Sequence, residues 1–157
     1  MVDTVSVRQQ ILNRMKDAYL AVKPPEWPIE FSTVELGPLS GEDHRKRYSL
    51  GIVAGPEKER FTYPYIECNF QVGVEFRITV NKGDPKPAEM AEQVLTIVKR
   101  VIDVNRNWGG LAVDTKRIGN DIDLNSYIDK SVVGVMFIEV MFRHSTEDPR
   151  SPQPAFR

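Results

Sequence analysis

Residues 131–142 read SVVGVMFIEVMF, and both faces of the strand they form are apolar. Val132, Met136, Ile138, Val140 and Phe142 fall on one side together with Gly134. Val133, Val135, Phe137 and Met141 fall on the other, where Glu139 is the charged exception. A strand with one wet face alternates apolar and polar residues. This one requires a cover on each side, from its own domain or from another copy of the chain.

The stretch that lies upstream at 66–80 is the opposite case. Ile66, Cys68, Phe70, Val72, Val74, Phe76, Ile78 and Val80 take every even position, and Glu67, Asn69, Gln71, Gly73, Glu75, Arg77 and Thr79 the odd ones. A bulge would switch the parity, and it never switches. At ~3.3 Å per residue the strand is about 50 Å long. A domain of this size is roughly 40 Å across. The strand therefore spans the body and reaches its edge.

Two helices accompany these strands. Over 4–22, Ile11, Leu12, Met15, Ala18, Tyr19 and Val22 form one stripe, with Asp3 or Thr4 to cap it and Pro24-Pro25 to stop it. Over 84–105, Met90, Ala91, Val94, Leu95, Val98, Val101 and Ile102 form a second stripe, with Asp84 as cap and Pro85 or Pro87 in the first turn. Trp27 is expected to lie on the core. Shorter strands are expected at 31–36, 48–54 and 111–118, with a charged loop at 55–60 and a turn at 119–121. The order predicts an α+β fold: a mainly antiparallel twisted β-sheet with two amphipathic helices packed on one face. The domain is expected to cover 1–143, and 144–157, with three prolines and no periodicity, to form an extended or mobile tail.

Composition excludes more than it proposes. With 157 residues the chain buries a core without staples, and its single Cys68 has no internal disulfide partner. No apolar run approaches ~18 residues, so no membrane helix is expected. The beginning MVDTVSVRQQ lacks a signal-peptide pattern. The net charge of −1, from 21 basic and 22 acidic residues, argues against tight nucleic-acid binding and places little repulsion in the way of self-association.

Chemistry-bearing residues read as structural. His44 and His144 are far apart and show no metal-ligand spacing with other residues. Cys68 shares the apolar parity of its strand and reads as a small core residue. Asp114, Asp121, Asp123 and Asp129 lack the spacing of a calcium loop. Gly109-Gly110 follows a helix, where glycines stop it, rather than preceding one as a phosphate cradle does. No catalytic residues, metal or cofactor are therefore expected, and the chain reads as an assembly part rather than an enzyme. The one basic cluster, Arg45, Lys46 and Arg47 after His44, reads first as a solvated loop and second as a weak, non-specific contact with DNA phosphates.

Residues 105–149 carry a resemblance. Asn107-Trp108-Gly109-Gly110-Leu111-Ala112 after an amphipathic helix resembles the Leu-Gly-Gly-Leu-Ala-like turn of the bacteriophage tail terminator family, the group of the minor tail protein U. The strand ending at Phe142-Arg143 and the following Glu147-Asp148-Pro149 resemble that family's closing strand and Asp-Pro tail. Trp108 stands where leucine is common. The resemblance implies a homo-hexameric ring that caps the tail tube, terminates tail polymerisation and offers the head-tail joining surface. It implies as partners the tube protein, a neck or head-completion protein and, in contractile tails, the sheath protein. DNA passes through such a ring without specific binding. The implied location is the head-proximal end of the tail in the virion, after assembly in the host cytoplasm. On this reading Val133, Val135, Phe137, Met141, Glu75 and Arg77 belong to the subunit and tube contacts, Arg45, Lys46 and Arg47 to the lumen or tube-facing rim, and Trp108, Gly109 and Gly110 to a structural turn. The alternatives are a neck protein of the same connector region and a small ligand-binding α+β domain.

Overall fold

The structure is a computed structural model, and it describes residues 5–39, 47–123 and 131–152. Among these, two helices and five strands follow the order α1 (Val7–Leu20), β1 (Thr33–Glu35), β2 (Tyr48–Thr62), β3 (Tyr65–Thr79), α2 (Pro87–Val104), β4 (Asp114–Asp123) and β5 (Ser131–Ser145). The expected α+β architecture holds.

The sheet order is β1-β2-β3-β5-β4, antiparallel except for the short parallel pair β1–β2. The unswitched parity read from the sequence is the reason for its centre. β3 and β5 pair without interruption from Tyr65↔Ser145 to Thr79↔Ser131. That register stacks Phe70, Val72, Val74 and Phe76 beside Val140, Ile138, Met136 and Gly134 on one face. Both helices pack against this face, α2 through Met90, Val94, Leu95, Val98 and Ile102. Phe76 lies so close over Gly134 that a Cβ there would stand 2.2 Å from its Cζ. Tyr19 joins the helices: its hydroxyl donates to the Val98 carbonyl at 3.0 Å, and burial pushes its ionisation well above the ordinary tyrosine range.

Several boundaries differ from the sequence reading. Ser6 caps α1, its hydroxyl accepting from the Gln9 N–H at 3.1 Å, whereas Asp3 and Thr4 lie outside the described residues. α2 starts at Pro87 after Lys86, and Asp84 is not its cap. Asp84 instead accepts from Arg47 and from the Asn81 N–H. β4 runs through the expected turn: Gly119 pairs with Phe137 and Asp121 with Val135, across a bulge that throws Ile118 outward. The long partner β5 supplies hydrogen bonds that the polar sequence of β4 does not advertise.

The largest difference is at 55–60, expected as a charged loop. It is strand, because β2 continues beside β3 to Thr62. A bulge at Gly55-Pro56 places two residues opposite Gln71, where a proline without an N–H does no harm to the ladder. The bulge reverses parity, so Glu57 and Glu59 join the helix-side face. Arg8 of α1 secures it, donating to the Gly55 carbonyl at 2.8 Å and lying over the Phe70 ring.

Residues 146–152 turn back on the domain rather than leaving it. The Val7 N–H donates to the Pro149 carbonyl at 3.0 Å, and His144 pairs with Pro152 in an isolated bridge. The rest of the expected tail lies outside the described residues.

Candidate functional site

The face of the sheet turned away from the helices gathers all six residues expected at an interface. Register sets Arg77 beside Val133 and Glu75 beside Val135. On the other flank of β5, Asp123 faces Val133 and Asp121 faces Val135. Phe137 has a glycine on each side, Gly73 across β3 and Gly119 across β4. Neither neighbour has a side chain to wall it in, and Phe137 is 46% exposed. Val133, Val135 and Met141 are half-buried, and Arg77 is buried.

A depression of about 270 Å³ lies along this stripe, lined by Val53, Gln71, Gly73, Glu75, Val135 and Phe137. Beyond Met141 the apolar surface ends at Arg143, which reaches Glu67 at 3.4 Å and lies over the Tyr65 ring. The result is an apolar strip with a charged rim, interrupted between Phe137 and Met141 by Glu139, which pairs with Gln71 and Lys116. Its surface chemistry suits burial against protein, with no set of polar groups converging on a reacting atom.

The other expected residues fall elsewhere. Arg47 is tied down by its own chain, donating to Asp84 at 2.8 Å and lying over Tyr48. Arg45 and Lys46 lie outside the described residues, as do His44 and Asp129. Trp108, Gly109 and Gly110 form the turn after α2 with positive φ at all three. Trp108 holds this costly conformation by being buried, with its Nε1 donating to the Thr115 hydroxyl at 2.9 Å. That hydroxyl in turn donates to the Arg106 carbonyl at 2.7 Å. Asp114, Asp121 and Asp123 are strand residues of β4. A second depression, of about 490 Å³, is lined by Asp103, Arg106, Thr115, Lys116 and Arg117. Its charges are mutually engaged, Arg106 with Asp114 at 2.9 Å and Arg117 with Asp103 at 3.3 Å.

Two features escaped the sequence. The β2–β3 turn presents Phe61 and Tyr63, 69% and 79% exposed. The run Phe61-Thr62-Tyr63-Pro64-Tyr65 carried a hairpin signal, two strand-forming stretches about a proline, that the charged 55–60 segment obscured. The second feature is a group formed by Glu59, Cys68 and His144, whose ligand atoms lie within 4.8 Å of one another. Linear spacing gave no hint of it, because three strands contribute one residue each.

No family model matches this sequence, and no curated protein matches it. Among solved structures the chain is similar to the sheath/tube terminator of an extracellular contractile injection system, PVC, in its extended state. The identity is 14% and the TM-score 0.39; the match covers 100% of this chain and 63% of the other.

Proposed function

We propose that this chain is a structural subunit, not an enzyme, and that six copies form a ring that caps a tail tube, ends its polymerisation and offers the surface for head joining. The observation that carries the reading is the half-exposed strip of Val133, Val135, Phe137 and Met141 on the face the helices leave open. Such a strip, flanked by glycines and rimmed by charge, loses water most readily against another protein surface. The turn at Trp108-Gly109-Gly110, through which the sequence resembles the tail terminators, supports the same reading: its Trp108 is buried and hydrogen-bonded while the two glycines stand exposed. The occupant of the strip is a second copy of the chain or, at the ring's lower surface, the tube protein. The sheath and the neck protein are the further partners of this reading, and DNA is a passenger.

Electron microscopy of tail tubes assembled with the wild-type chain and with Phe137→Glu tests it. The wild type is expected to leave closed rings on tube ends and tubes of uniform length. The variant is expected to fold, to leave ends bare and to let tubes run on. Wild-type protein found on tail-less heads and never on tubes would transfer the assignment to the neck.

A further inference from the structure

The bulge in β2 brings together groups that neither the fold's stability nor a capping ring requires. By reversing parity at Gly55-Pro56 it turns Glu59 onto the helix-side face, directly across from Cys68. Cys68 pairs on its other flank with Phe142, two residues before His144 on the same face. We propose that Glu59, Cys68 and His144 bind a divalent transition-metal cation, zinc by their donor chemistry, and so clip together the ends of β2, β3 and β5.

Geometry comes first. One ligand atom from each residue lies within 4.8 Å of the other two. Tetrahedral bonds to nitrogen, sulfur and oxygen put ligands about 3.3–3.8 Å apart, so each side chain closes by about 1 Å or less to hold the ion. Cys68 is fully buried, His144 is 8% exposed, and Glu59 stands at the exposed rim, where an ion enters and water completes the coordination.

The imidazole is already set for the task. Its Nδ1 lies 2.8 Å from the Ser145 carbonyl, which accepts only, so in the neutral ring Nδ1 carries the hydrogen and Nε2 is the nitrogen able to ligate. A ligating histidine is commonly oriented by such a bond from its second nitrogen. The strand end that carries it is fixed in turn, by the Pro152 bridge and by the Ser145 N–H donating to the Ser151 carbonyl at 3.0 Å.

The local field favours a cation. Glu59 stands across from Cys68, Glu57 lies two residues before Glu59 on the same face of β2, and Glu67 precedes Cys68 in β3, so carboxylates gather about the thiol. Of these carboxylates, Glu57 is met by Arg8, at 3.5 Å, and Glu67 by Arg143, at 3.4 Å. A divalent ion suits such a group: it takes the thiolate, with the thiol proton released to solvent, and neutralises the Glu59 carboxylate. A sulfur, nitrogen and oxygen set of this kind suits zinc better than calcium or magnesium.

The test is titration of the metal-stripped full chain with Co²⁺, followed by Zn²⁺. The expected result is one Co²⁺ per chain with thiolate-to-cobalt charge-transfer absorption, displaced by Zn²⁺. Cys68→Ser and His144→Gln should each weaken Zn²⁺ binding roughly 100-fold. Glu59→Gln, an exposed change that leaves the core alone, should weaken it about 10-fold, which keeps the test valid if a buried variant fails to fold. His44→Asn, altering the chain's other histidine, should change nothing. Absence of the charge-transfer band, or affinity that follows His44 instead of Cys68 and Glu59, would overturn the proposal and leave only adventitious surface binding. These outcomes are independent of whether the chain forms rings.

Discussion

Strand β5 meets two environments within one pleat. Toward the helices, Gly134, Met136 and Ile138 are sealed against Phe76 and α2; away from them, Val135 and Phe137 lie over Gly73 with water above. Both faces are apolar in sequence, except for Glu139 on the outer one. The difference lies in what covers them: a helix face closes the first, and the second is left open. Composition alone therefore does not tell core from interface; the count of available covers does.

The comparison is sharpest where ring matches ring. Phe76→Ala should cost about 3–5 kcal/mol in denaturant unfolding, because a fully buried aromatic leaves a cavity. Phe137→Ala should cost about 1 kcal/mol, since half of that ring is already wet. Equal losses would make the outer face core and break the distinction.

Glycines repeat the test at lower amplitude. Gly134→Ala forces a methyl into the Phe76 ring and should cost about 1–3 kcal/mol. Gly73→Ala meets nothing nearer than Val135 Cγ2 at 3.6 Å. It should shift the unfolding free energy by less than about 0.5 kcal/mol.

Away from β5, Trp108→Phe removes the donor to Thr115 and leaves a small cavity, for an expected loss of about 2–4 kcal/mol. The same loss without Thr115, in a Thr115→Val background, would separate the hydrogen bond from the packing.

The smallest effect is on pH. The Arg106 guanidinium beside Asp114 holds its carboxyl below the ordinary 3.8, and Arg47 and Arg150 do the same for Asp84 and Asp148. A carboxyl depressed on folding contributes stability above its unfolded value and loses it as pH falls through the lower folded one. The temperature of unfolding should therefore fall on acidification below about pH 4. Arg106→Gln should flatten part of that slope; an unchanged slope would show Asp114 to be uncoupled.

What the sequence made legible follows from hydrophobic parity. Unbroken alternation at 66–80 and the double apolar run at 131–142 marked β3 and β5, and the stripes marked both helices; the pairing and register of the two strands came only with the structure. Parity has no purchase on charged residues, so the continuation of β2 through Glu57 and Glu59 was hidden. So was the passage of β4 through Gly119, where the ladder is sustained by the partner strand. The open face was readable because it needed only β3 and β5. The grouping of Glu59, Cys68 and His144 was not, since it depends on a bulge one residue long.

The central claim is that another copy, or the tube, hides the outer face of β5 on assembly. Thiol labelling of Phe137→Cys measures this directly, because native Cys68 is buried and its thiol pushed up to about 12, which keeps it silent. The account predicts rapid labelling of the free chain and labelling slowed more than about 10-fold on capped tubes. Equal rates in the two states, with caps visible by microscopy, would contradict it.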